Sequence, residues 1–161
     1  MAKICGFIGL LFLFVACDNN TVFSEYKSFS KGWDKAQNVN FKLPALDQNK
    51  NYDLFINIRN SNNYPYSNLF LIVKMDFPHG KTLTDTLEYL MAEPDGTWLG
   101  KSTGSVRENK LWYKENISFN EKGQYAVNIQ HAMRNNGEAK GLNTLKGITD
   151  VGFSIEEKNK E

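Results

Sequence analysis

The sequence predicts an all-β fold, an antiparallel β-sandwich of about eight strands, on three observations. Apolar residues recur at every second position in most segments, turns of Gly, Pro and Asn separate those segments, and no long stretch carries a helical period. The first strand is expected around Thr21–Tyr26 and the second around Val39–Leu43, before Pro44 and the polar run Asp47–Asn51 turn the chain. Tyr52, Leu54, Ile56 and Ile58 then alternate with Asp53, Asn57 and Arg59, the two-residue period of a half-buried strand. Phe55 interrupts the polar face, so both faces of this strand should be partly covered. After the loop Asn60–Pro65, the nearly continuous apolar run Leu69–Met75 reads as a central strand.

Pro78-His79-Gly80 turns the chain again, and Thr82, Thr84 and Thr86 alternate with Leu83, Asp85 and Leu87. β-branched residues at period two favour a strand there. Pro94-Asp95-Gly96 is a further turn, and 100–105 is rich in Gly and Ser. Leu111, Tyr113, Ile117 and Phe119 share one predicted face, with Glu115 as the exception. Tyr125, Val127, Ile129 and His131 share another, and Val151, Phe153 and Ile155 close the series. The polar stretch from Asn135 to Leu145 is expected to hold at most one helical turn.

The amino terminus has a different logic. Lys3 is followed by the apolar run Ile4–Val15, then Ala16 and Cys17. This is the layout of a secretory signal, too short to span a bilayer, with a small residue at the cleavage point and a cysteine directly after it. The expected organisation is a lipoprotein signal peptide at 1–16, a lipid-anchored sandwich domain at 17–157 and a charged tail at 158–161. Acylation of the Cys17 thiol and amine would add enough hydrocarbon for stable anchoring, which a single chain does not provide.

Removing 1–16 takes away one base, Lys3, and leaves 18 basic and 18 acidic residues. A neutral domain gives no electrostatic reason to bind nucleic acid. The only cysteines are Cys5, lost with the leader, and Cys17, so no disulfide is available and the domain must hold by packing alone.

Catalytic chemistry is thinly represented. His79 sits in a turn and reads as solvated; His131, at a strand end, reads as a hydrogen-bonded structural residue ahead of a general base. No spacing supports a metal site, no glycine loop a phosphate site, and no cofactor is implied. Asp85 with Glu88, or Glu93 with Asp95, would serve glycoside hydrolysis only if their carboxyls converged; a solvated edge or loop accounts for them. The expectation is a non-enzymatic protein. Trp98 and Trp112 are expected among the core aromatics ahead of exposed platforms. The aromatic and amide loop Asn60–Tyr66 suits a binding role, and the strongest candidate docking patch lies around Tyr64, Tyr66 and Trp98, whose competing role is to close the end of the core. A glycan is the alternative ligand for such a sandwich.

Six strings in one order carry a resemblance. Arg59-Asn60 with Tyr64–Ile72, Asp85–Tyr89, Gly96–Gly100, Leu111–Lys114, His131–Arg134 and Gly147–Phe153 together resemble the GldH gliding-motility lipoprotein family of Bacteroidota, over about Val22 to Glu156. The resemblance implies a cell-envelope lipoprotein needed for gliding, acting beside other proteins of the gliding and type IX secretion machinery, with no catalytic residue supplied. Asp18 follows the cysteine without an acidic pair behind it, which favours an outer-membrane anchor with the domain on the periplasmic side.

Overall fold

The computed structural model describes residues 20–158; the expected leader, Cys17 and residues 159–161 lie outside them. The described residues form eleven strands and no helix: β1 (Thr21–Ser28), β2 (Trp33–Asp34), β3 (Val39–Lys42), β4 (Tyr52–Ser61), β5 (Asn68–Asp76), β6 (Thr82–Leu90), β7 (Lys101–Thr103), β8 (Val106–Ile117), β9 (Ala126–His131), β10 (Thr144–Leu145) and β11 (Ile148–Glu157). All eight expected strands are present. The additions are short: β2 pairs with β10, and β7 folds back on the start of β8 through the Gly104 turn. The polar stretch Asn135 to Leu145, expected to hold at most one helical turn, holds none, and a β-bridge joins Arg134 to Gly141.

Two antiparallel sheets make the sandwich. One has the order β1-β11-β4-β8-β7, the other β3-β9-β5-β6. Period-two alternation turns Leu54, Ile56 and Ile58 of β4 and Val151, Phe153 and Ile155 of β11 inward. They meet Leu69, Leu71 and Val73 of β5 and Val127 and Ile129 of β9, and all are fully or nearly fully buried in one cluster. Phe41 and Phe153 stack across the two sheets at 6.1 Å. Each such aliphatic side chain contributes about 1.5–3 kcal/mol when taken out of water. This cluster is therefore the main term holding the described residues, which include no cysteine.

β8 shows how local irregularity protects the core. Its register with β4 shifts twice, so that Leu54 pairs with Lys114 while Phe55 pairs with Trp112, and Tyr52 pairs with Ile117. The extra residue at Tyr113 is a β-bulge, which puts Tyr113 and Lys114 together on the inner side and turns Glu115 out to solvent. A second extra residue, Asn116 with φ of 57°, restores the phase so that Ile117 points inward again, and the Asn116 amide donates to Asp53 Oδ1 at 2.8 Å. Glu115, the exception to the apolar face, is thereby kept out of the core.

The strands define two ends. Thr21, Tyr52, Asp76, Ile117, Ala126 and Glu157 lie at one; Ser28, Ser61, Asn68, Val106 and Ile148 lie at the other.

Candidate functional site

The aromatic patch expected from the sequence assembles at the Ser61 end. The loop after β4 is pinned to the turn before β11, where Ser61 N donates to the Gly147 carbonyl at 2.8 Å. Gly147 adopts φ of +83°, and a Cβ there would run into the Tyr64 main chain, so only glycine lets the two segments close up. Tyr64 N returns a bond to the Ser61 carbonyl at 3.1 Å, and the Tyr64 hydroxyl donates to the Asn68 carbonyl at 2.7 Å. Trp98 comes from the turn after β6. Met91 N donates to the Ser67 carbonyl, Glu93 N to the Thr97 carbonyl and Thr97 N to Asp95 Oδ1, which brings Trp98 back beside Ala92 in a β-bridge.

The result is a three-ring cluster: Tyr64 to Tyr66 at 5.7 Å edge to face, and Tyr64 to Trp98 at 6.1 Å. The three rings have unequal roles. Tyr64 is only 2% exposed and belongs to the core, and burial pushes its hydroxyl pKa well above the ordinary tyrosine range. Tyr66 and Trp98 are half-buried, with the Tyr66 hydroxyl donating to Asn135 Oδ1 at 3.2 Å. Leu90, 66% exposed at the end of β6, lies at the same end.

A second surface was missed from the sequence: the outer face of the five-stranded sheet. Trp112 departs from the expected core placement and is 55% exposed. Alternation along β8 turns Leu111 and Tyr113 inward and Trp112 outward, opposite Phe55 and packed on it at 4.5 Å. Lys110 covers the same Phe55 ring at 4.1 Å, so Phe55 is buried without lying between the sheets. Alongside, Asn57 donates to Ser154 Oγ at 2.8 Å, and the Arg59 guanidinium sits over Tyr26 at 4.2 Å while bonding Glu108 at 3.0 Å. The Tyr26 hydroxyl donates to the same Glu108 oxygen at 2.9 Å. Burial and that carboxylate push its pKa up to about 12. A shallow depression of about 200 Å3 lies between these groups and Lys110. The partners come from strands 49 to 97 residues apart, so no local spacing announces them.

The carboxylates and histidines considered as chemical groups are not brought together. Asp85 points between the sheets, bonded by Tyr113 at 2.9 Å and Lys114 at 2.9 Å, whereas Glu88 points outward to Asn68 at 2.8 Å. Burial raises the Asp85 pKa, but the hydrogen bonds from Lys114 and Tyr113 outweigh it and hold the carboxyl below its usual range. His79 is exposed and lies 3.1 Å from Glu121. His131 is 1% exposed, edge-on to Trp33 at 5.2 Å. Contrary to the hydrogen-bonded role expected, neither of its ring nitrogens finds a partner among the described residues. Among those residues no three His, Cys, Asp or Glu side chains gather in a way that would hold a metal ion.

Fold and site together define an all-β sandwich that presents an aromatic rim at one end and a polar, tryptophan-bearing face on one sheet. The GldH lipoprotein family profile matches residues 21–155. The gliding motility lipoprotein GldH homolog of Christiangramia forsetii is 56% identical over 150 residues, covering 93% of this chain and 92% of that protein. The gliding motility lipoprotein GldH of Flavobacterium johnsoniae is 51% identical over 147 residues, covering 91% of each. No solved structure matches. The chain belongs to the GldH lipoprotein family, and with it to the membrane-anchored gliding-motility lipoproteins of the cell envelope.

Proposed function

We propose that this protein is a non-catalytic accessory or assembly component of the gliding and type IX secretion apparatus. It is anchored through lipid on Cys17 to the outer membrane, with the domain on the periplasmic side. The observation that carries the docking role is the pair Tyr66 and Trp98, half-exposed and held against a buried Tyr64 whose backbone is clamped by Gly147. Pre-positioned aromatic rings with part of their surface open are the usual anchors of a protein interface, because little side-chain freedom remains to be lost on binding. The loop–loop hydrogen bonds behind them fix that rim in place.

The test is movement of single cells on glass after deletion of the gene and its restoration as the intact form, as Cys17→Ala or as Tyr66→Ser/Trp98→Ser. Rescue by the intact gene alone, with both variants present at normal levels, is the expected result. Normal gliding of the deleted strain overturns the motility role, and full rescue by the double variant overturns the docking role of the rim.

A second reading, binding of an envelope glycan, has its own observation. Trp112 is held open on Phe55 beside the polar depression, an arrangement that suits stacking against a sugar ring. Sedimentation of the purified domain with isolated peptidoglycan or polysaccharide, lost on Trp112→Ala, would favour it over protein docking.

A further inference from the structure

We infer that the end of the sandwich built by the loops 43–51, 77–81 and 118–125 rests against the lipid surface in which the protein is anchored, leaving the Tyr66–Trp98 rim facing away from it. The inference rests on the lipidation of Cys17 proposed above and adds an orientation to it. Three observations carry it.

The first is the length of chain between anchor and fold. Asn20 is already tied into the sheet, its carbonyl accepting from Glu157 N at 2.7 Å. Only three residue steps separate it from Cys17, a reach of at most about 11 Å even when fully extended. The second is the direction of β1. It enters at Thr21, beside Glu156 and Glu157, at the end where β4 begins and β8 finishes. β4 has ten residues, so the opposite end of the sandwich lies about 33 Å further along the strands. A domain standing on its Tyr66–Trp98 rim would hold Asn20 roughly three times further from the lipid than the tether reaches. The carboxyl-terminal strand finishes at this end too, where Lys158 N bonds the Asn51 carbonyl at 2.9 Å.

The third is the chemistry of the end itself. Val22, 41% exposed, stands next to the point of entry, and Pro44 and Ala45 are exposed in the loop between β3 and β4. Behind them a cleft of about 380 Å3 opens between that loop and the one carrying Phe119 and Tyr125. Lys81 and Lys122, both exposed, belong to loops of the same end, where Lys50 is paired with Glu157 at 2.8 Å and Asp47 and Glu121 line the cleft. Small exposed apolar residues with long lysine side chains at the same end suit a headgroup layer, where the stems lie along the hydrocarbon boundary and the ammonium groups reach phosphates. The β1 edge, the other surface within reach of the tether, presents Glu25 paired with Lys27 and, beyond Val22, no exposed apolar side chain.

The experiment uses the mature lipidated protein in vesicles of phosphatidylethanolamine and phosphatidylglycerol that carry a headgroup-linked acceptor dye. A single extra cysteine takes the donor dye at Ala45→Cys, at Thr86→Cys midway along β6, or at Asp95→Cys beside the rim. Transfer should be several-fold stronger from position 45 than from 95, with 86 between them. Equal transfer from all three, or stronger transfer from 95, overturns the orientation while leaving the anchor intact. Failure of the wild-type protein to carry lipid or to float with the vesicles overturns the anchor reading itself, and the orientation falls with it.

Discussion

At the scale of single residues, burial decides which polar and aromatic groups have freedom to act. His131 is buried against Trp33 without a hydrogen bond to its ring. Burial, aided by the nearby charge of Lys35, pulls its pKa below the ordinary 6.5 against the opposing Trp33 main chain and Asp34. The folded state therefore holds the ring neutral while the unfolded chain protonates it, so stability is lost as pH falls below about 6.5. His131→Leu should remove that slope: denaturant midpoints measured from pH 7 to pH 5 should fall for the wild type and stay flatter for the variant. At pH 7 the change should be close to neutral or stabilising, because it deletes polar atoms that have no partner.

The same scale separates the two tyrosines of the rim. Tyr64→Ser empties a buried aromatic site and should cost about 3–5 kcal/mol of stability. Tyr66→Ser, at a half-exposed ring, should stay within about 1 kcal/mol. Urea unfolding of the two variants checks the contrast, and partner recovery is informative only from the second.

At the scale of elements, β8 is where the sheets are joined along their open side. The bulge delivers Tyr113 and Lys114 to Asp85 of β6, and the Tyr89 hydroxyl bonds the Trp112 carbonyl at 2.6 Å. Because the Asp85 carboxyl is held below its usual range, this contact contributes at neutral pH and is lost as pH falls through the folded pKa. Lys114→Met should cost about 1 kcal/mol at pH 7, low in the range for charge-assisted bonds because both side chains remain about a quarter exposed. The deficit should shrink at pH 3 in a urea series. A cost that does not change with pH would mean that Lys114 acts through packing alone.

At the scale of the molecule, the core is one cluster that draws from both sheets, with no second cluster to unfold separately among the described residues. Unfolding followed by tryptophan fluorescence and by far-ultraviolet circular dichroism should give coincident single transitions. Cys17→Ala should move the protein from the membrane to the soluble fraction of a cell lysate with the same unfolding midpoint, since the strands and loops of the described residues build the core cluster. A lowered midpoint would show that the segment before Asn20 contributes to the fold.

The amino-acid sequence by itself determined the strands, because period-two alternation and turn residues are local, and strand formation obeys them wherever a sheet exists to receive the apolar face. It also carried the family, through strings such as Tyr64–Ile72 and Gly147–Phe153 that keep their order. Within the candidate site it brought Tyr64, Tyr66 and Trp98 into consideration together, and the turn at Pro94-Asp95-Gly96 that returns Trp98 was legible from its residue types. Only the tertiary structure decided which of those rings is core and which is rim, since that depends on the close approach of Gly147, more than eighty residues away in the chain. It alone placed Trp112 in the open, because alternation sets Trp112 on the face opposite Leu111 and Tyr113 but does not say whether anything covers that outer face. It alone turned Glu115 outward, through the one-residue bulge. The Tyr26–Arg59–Glu108 and Asn57–Ser154 groups were likewise beyond reach, their members meeting only through strand order. Local rules act between neighbours in sequence, whereas facing, burial and long-range pairing are properties of the assembled sheets.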